Sequence, residues 1–354
     1  MVKNIRRSVS VIVPCYNMEN KIGFLLDSLL IQSCIDFKVL IINDGSTDGS
    51  ENVILNYKNR FYERNIPFYY FNKKNEGLAA TVNYGLNKVD TDYFCLPDAD
   101  DYLSYDYIKE CKNFLDANPE DGLVFVQCRV FHECYRNNQV ALWARGDRYQ
   151  LNKSELIDAF LWERNFYYGP SYMVRTQSFI NINGAMSIFC KTKGGQNPQI
   201  IFPLIVGSKI GYIQKPLYNY IIYKNSHSHF SKKSYIQIIE RLERDRLLWR
   251  SVIEGLHINH DKKKLFIEIK ENVMLIKKAR VSYDYGNFKD LKKFCSVINE
   301  KYIPSEYKSI IGKNNIANKA RIFWHSKMCS IKRIFKDSQY RFLMQAIIYK
   351  MCSK

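Results

Sequence analysis

No stretch of this chain approaches the roughly 18 uninterrupted apolar residues that a membrane-spanning helix needs. The longest run, Ile200 to Val206, is interrupted by Pro203. A bilayer span is not expected. The apolar run behind the basic N-terminus covers only Val9 to Val13 and stops at Pro14, too short for the core of a secretion signal. A cytoplasmic location is the expectation. The ten cysteines include no Cys-x-x-Cys pair, so they read as reduced core and surface residues. Internal repeats and low-complexity segments are absent as well.

What the 354 residues do contain is 46% hydrophobic and 14% aromatic side chains, enough to bury a full core in one large domain with an appendage. The net charge of +18 is unevenly placed. Residues 1–230 hold 25 Lys and Arg against 23 Asp and Glu, whereas 231–354 hold 28 against 12. The composition shift near 230 divides the chain into residues 1–230 and a basic region, 231–354. A basic half of this kind points to an anionic membrane surface or to nucleic acid.

The first 130 residues alternate short apolar runs with amphipathic stretches, the pattern of β-α-β units and a mainly parallel sheet. Strands are expected at Val9 to Val13, Phe37 to Ile42, Phe68 to Phe71 and Tyr93 to Leu96. Between the first two, Ile22, Leu25, Leu26 and Leu29 fall at helical spacing. A helix from Ser104 to Leu115 and a strand from Leu123 to Val130 follow. In such sheets ligands bind at the C-terminal strand ends, where loops converge and helix N-termini point.

At one of those ends stand Asp98, Ala99, Asp100 and Asp101. Three crowded carboxylates repel one another unless a cation or a set of donors holds them, so a divalent metal is one reading. An acidic turn capping the next helix is the other. Between 131 and 230 the chain is rich in aromatics, including Trp162, Phe166, Tyr167 and Tyr168. Aromatic faces beside a polar cleft suit sugar rings.

Four segments stand in order: Val11-Ile12-Val13-Pro14-Cys15-Tyr16-Asn17, Ile42-Asn43-Asp44-Gly45-Ser46-Thr47-Asp48, Asn75-Glu76-Gly77-Leu78-Ala79-Ala80-Thr81-Val82-Asn83, and Asp98-Ala99-Asp100-Asp101. Together they make residues 8–230 resemble the family 2 inverting glycosyltransferases of the glycosyltransferase A fold. The resemblance implies a Rossmann-like, mainly parallel sheet flanked by helices, followed here by a helical, basic C-terminal extension. It also implies a UDP-sugar donor with Mn2+ or Mg2+ across the diphosphate. Pro14, Tyr16 and Asn17 then lie on the loop facing the base, and Asp44 matches the aspartate that accepts a hydrogen bond from uracil. Asn75, Gly77 and Asn83 match the loop and helix that approach the donor. Asp98 falls toward the ribose and the metal, Asp100 on the metal, and Asp101 in support. His227, with His229 as its competitor, matches a histidine that reaches back to the metal in several relatives.

An inverting transfer also needs a base on the opposite face of the sugar. Where many relatives carry a carboxylate pair, this chain has Gly195-Gln196-Asn197-Pro198-Gln199. An amide is no general base near neutral pH. Asp158 or Glu163 could reach the site, the alignment could be displaced, or Gln196 and Asn197 could orient an acceptor whose proton leaves to water or phosphate. Pro198 also suits the first turn of a helix that these amides cap.

Beyond 230 the pattern is helical, with Ile236, Ile239, Leu242 and Leu247 expected on one face. Near the end, Trp324, Met328, Ile331, Phe335, Phe342, Ala346 and Tyr349 form an apolar stripe flanked by Lys and Arg. Either a membrane-surface helix or a helix packed on the catalytic domain fits that pattern. The expectation is a hexosyl- or N-acetylhexosaminyltransferase of bacterial surface polysaccharide synthesis, covering capsule, O-antigen or lipooligosaccharide. Its acceptor is a glycan or lipid-linked glycan, and its place the inner face of the cell membrane. The alternatives are a catalytically inactive glycan- or nucleotide-binding relative, and a nucleic-acid binder using the basic half. No nucleic-acid motif is recognised there, and nucleic acid is not an expected partner.

Overall fold

The computed structural model describes residues 8–133, 139–143, 153–163, 169–189, 195–223 and 234–299. His227, His229 and the apolar stripe from Trp324 to Tyr349 lie outside the described residues. The chain divides into two compact units, Met1–Met274 and Leu275–Lys354.

Among the described residues the first unit is built on a nine-stranded sheet. Strand β1 (Val9–Cys15) and β2 (Phe37–Asn43) are buried almost throughout, as parallel strands covered on both faces must be. β3 (Phe68–Asn72) pairs with β2, and β4 (Tyr93–Cys95) with β1, all in parallel. The strand order reverses at β1, so its neighbours on either side leave a crevice at the C-terminal ends. Helix α1 (Ile22–Leu30) buries Ile22, Leu25, Leu26 and Leu29, the face expected from their spacing.

The α2 (Ser50–Asn56) and α3 (Lys58–Glu63) helices join β2 to β3, and α4 (Leu78–Leu86) follows β3. Gly85 lets α4 lie directly on the sheet, because a Cβ there would stand 2.4 Å from Ile12 Cγ2 and 3.0 Å from Ile42 Cδ1. Both isoleucines are in buried strands and have little room to yield. Gly85→Ala is expected to cost about 1–3 kcal/mol through overpacking, read as a lower midpoint in urea unfolding.

Past β4 the sheet changes character. β5 (Tyr102–Leu103), α5 (Tyr107–Ala117), β6 (Asp121–His132), β7 (Gln139–Trp143), α6 (Lys153–Trp162), β8 (Tyr172–Arg175), α7 (Thr176–Asn183), α8 (Asn197–Gly207) and β9 (Lys209–Ile222) follow in turn. β8 pairs antiparallel with both β4 and β6, and β7 antiparallel with β6, while β6 and β9 run parallel. The mainly parallel pattern therefore belongs to the β3-β2-β1-β4 half, and the other half is mixed. The helix expected from Ser104 starts instead at Tyr107, because Tyr102 and Leu103 pair with Asn219 and Tyr218 of β9.

α8 carries Pro198 in its first turn, as expected, and continues through Pro203. At its centre the buried Phe202 packs edge-on against Trp249 of α9 (Tyr235–Glu254) and against Phe266 of α10 (His260–Asp284). This contact corrects the face expected for α9. Ile236 is 66% exposed and Leu247 43%, and the buried stripe is Ile238, Leu242, Trp249 and Ile253. Apolar residues occupy much of the circumference of this helix, and the aromatic cluster on α8 decides which of them it covers.

In the second unit, Ile276, Ala279 and Ile298 form a small core with Leu275, Leu291 and Phe294. It includes α11 (Phe288–Val297), whose start is capped by the Asn287 side chain. No helix among the described residues is long and apolar enough to cross a membrane.

Candidate active site

Loops from the ends of β1, β2, β3 and β4 meet at the crevice. After β1, Asn17 adopts a left-handed conformation with φ of 54°. Its amide N–H donates to Ser46 Oγ at 3.0 Å and its Oδ1 accepts from the Thr47 N–H at 2.8 Å. Asn17 thus ties the first loop to the second and leaves its neighbour Tyr16 43% exposed. Pro14 is half-buried at the end of β1.

Asp44, 4% exposed, accepts from Lys73 Nζ at 2.6 Å, from the Glu76 N–H at 3.0 Å and from the Gly77 N–H at 2.9 Å. Burial pushes its carboxyl up, but the Lys73, Glu76 and Thr81 hydrogen bonds outweigh that and hold it below the usual range. The charge of Asp44 therefore organises the loop holding Asn75, which is exposed. Gly77 begins α4 with φ of 90°, and a Cβ there would meet no protein atom within 4 Å. Backbone conformation is what calls for glycine at this position. The Asn83 side chain, one turn into α4, is committed to the Ile188 backbone, donating to its carbonyl at 2.8 Å and accepting from its N–H at 2.7 Å. It fixes the Ile188 backbone against α4.

The acidic tetrapeptide follows β4. Asp101 is fully buried and is an anchor, accepting from Tyr218 Oη at 2.8 Å and from the Ile221 N–H at 2.9 Å. Burial, then the charges of Asp98 and Asp100, push its carboxyl well up. The Tyr218 hydroxyl also accepts from the Asp98 N–H at 3.2 Å, and Tyr223 Oη donates to the Asp100 carbonyl at 3.1 Å. β9 and the residue after it therefore hold the tetrapeptide from below. Nothing local in the sequence announces these anchors, although a strand-like run from Tyr218 to Tyr223 is legible.

Burial, and after it the charge of Asp100, push the Asp98 carboxyl up to about 7, against a hydrogen bond from Gln196 that pulls it down. Gln196 is 4% exposed, and Asn197 beside it accepts from Tyr172 Oη at 3.0 Å. The structure thus brings Asp98, Gln196, Asn197 and Tyr172 into one cluster. Asp158 is exposed on α6 between the buried Ile157 and Ala159. Glu163 gives its carboxylate to Lys270, at 3.0 Å.

Among the described residues no group of three His, Cys, Asp or Glu side chains is arranged to hold a metal. Asp98 and Asp100 are a two-carboxylate donor set with hard oxygens of the kind that suit Mg or Mn. Phosphate and water oxygens have to complete the shell of any divalent ion placed there. Within that limit the residues fit one.

A crevice at a strand-order switch, lined by acidic and polar strand ends, is the architecture of α/β proteins that bind nucleotides. Residues 10–182 match the family model described as glycosyl transferase family 2. The glycosyltransferase GlyA of Streptococcus pneumoniae is 36% identical over 101 residues, which is 28% of this chain and 14% of that protein. Chondroitin synthase of Pasteurella multocida is 38% identical over 108 residues, 30% of this chain and 11% of that protein. The matched stretch is thus a small part of either relative. Among solved structures, Staphylococcus aureus TarS 1-349 in complex with UDP-GlcNAc shares the fold at a TM-score of 0.62 and 16% identity. That likeness covers 92% of this chain and 91% of the other. The sheet with flanking helices is therefore a glycosyltransferase A-like fold.

Proposed function

We propose that this protein transfers a sugar from a UDP-sugar to a hydroxyl of a glycan acceptor, with inversion, in the building of a bacterial surface polysaccharide. The observation that carries the reading is the meeting of Asp98 and Asp100 with the Asp44-ordered loop at the strand-order switch. The TarS complex with UDP-GlcNAc and the chondroitin synthase similarity support the donor class and the polymer class.

In this reading the acceptor oxygen forms a bond to the anomeric carbon, the bond from that carbon to the diphosphate breaks, UDP leaves with the electron pair, and the acceptor hydroxyl's proton passes to water or to a phosphate oxygen. A divalent cation, Mn2+ or Mg2+, held by Asp100 and Asp98 supplies charge neutralisation of the departing diphosphate. Asp98 and the exposed Tyr16, Asn17 and Asn75 face the nucleoside side of the crevice. Gln196 and Asn197 orient the acceptor, with Tyr172 holding the Asn197 amide. His227 remains a proposed further ligand.

UDP release from a panel of UDP-sugars offered with mixed saccharide acceptors, with and without Mn2+, tests the reading. Release from none of them would overturn it.

We also place the protein on the inner face of the cell membrane. The basic excess after residue 230 supports this, since lipid-linked acceptors lie on an anionic surface. The full chain is expected to sediment with vesicles containing anionic lipid, to release as salt rises, and to ignore purely zwitterionic vesicles. Equal binding to both vesicle types would remove the membrane assignment.

A further inference from the structure

We propose that Lys21 is a built-in counter-ion of Asp100 that a divalent cation has to displace, so that this one residue sets how tightly the site takes its metal. The inference rests on the metal reading above.

Lys21 is the residue just before α1, and its side chain does not cap that helix. A cation is unfavourable at a helix N-terminus, where the backbone dipole is already positive. Something else must hold it there. Its Nζ lies 3.5 Å from Asp100 Oδ2 and 3.9 Å from the centroid of the Tyr223 ring. Tyr223 in turn donates its hydroxyl to the Asp100 carbonyl at 3.1 Å. The ammonium is thus seated between a carboxylate oxygen and an aromatic face that is itself fastened to the same aspartate.

That carboxylate oxygen is one a metal would take. An ammonium and a divalent ion cannot share it without mutual repulsion, so metal entry requires Lys21 to leave. The two side chains are 29% and 27% exposed, so solvent screens the pair in part. Pairs of this kind are worth roughly 0.2–1 kcal/mol, which converts to an affinity change of up to about five-fold.

The test is Mn2+ titration of the full chain at one pH and ionic strength, reading unbound Mn2+ by electron paramagnetic resonance. Lys21→Met keeps a long unbranched side chain and removes the charge, and is expected to bind Mn2+ about two- to five-fold more tightly than the parent. Lys21→Arg, which pairs with carboxylates and stacks on aromatics at least as well, is expected to bind no more tightly than the parent. Asp100→Ala is expected to lose the site. A second readout needs no variant: labelling of Lys21 by an amine-acylating reagent, followed by peptide mass spectrometry, should rise when Mn2+ is added. Binding lost in Asp100→Ala but unchanged or weaker in Lys21→Met overturns the role of Lys21 alone, as does labelling indifferent to Mn2+. Absence of Mn2+ binding in the parent protein, or its survival in Asp100→Ala, overturns the metal reading and the inference with it.

Discussion

Asp100→Ala is expected to lower UDP release by about 10²–10³-fold, the loss typical when a preorganised group that stabilises developing charge is removed. Its fold should survive. Asp100 is linked to the framework by its backbone carbonyl, which Tyr223 holds, and by a partly screened ion pair with Lys21. Neither link draws more than about 1 kcal/mol from the Asp100 carboxylate. The unfolding midpoint should therefore stay near that of the parent. A variant that keeps full Mn2+-dependent release would sink the assignment.

Asp101→Ala should behave in the opposite way, costing about 2–4 kcal/mol of stability because it strands two buried partners. The Ile221 N–H and the Tyr218 hydroxyl both lose their acceptor in a place that water does not reach. Part of that loss is offset, since a buried carboxyl with a raised pKa is itself unfavourable. Asp101→Asn keeps an acceptor oxygen and should cost less than half as much. Chemical denaturation of the three proteins checks the order parent, Asn, Ala. Equal stability of the Ala variant and the parent would show that the buried pairing contributes nothing.

These neighbours illustrate how unevenly function is written along the chain. Asp98, Asp100 and Asp101 are equivalent in sequence, three acids within four residues. In the fold Asp101 is an anchor sealed against β9, Asp98 is half-buried and takes a hydrogen bond from Gln196, and Asp100 is paired with Lys21. The difference comes from Tyr218, which lies 117 residues from Asp101. Asp44 makes the same point. Its position at a strand end is legible, yet its commitment to Lys73, Glu76 and Gly77 depends on how the β3–α4 loop folds back over β2.

What the sequence determined by itself is the parallel half of the sheet and the place of the acidic motif. Buried parallel strands have to be continuous apolar runs, and each ends in a polar loop, so β1, β2 and β4 and their termini are local signals. The face of α1 is local too, because Ile22, Leu25, Leu26 and Leu29 recur at helical spacing. The antiparallel β8, the covered face of α9 and the meeting of Lys21, Asp100 and Tyr223 were decided by the tertiary structure alone. In each case the sequence offers several residues of the right kind, and the choice among them is made by a partner more than 20 residues away, brought near only when the sheet and the aromatic cluster around Phe202 close.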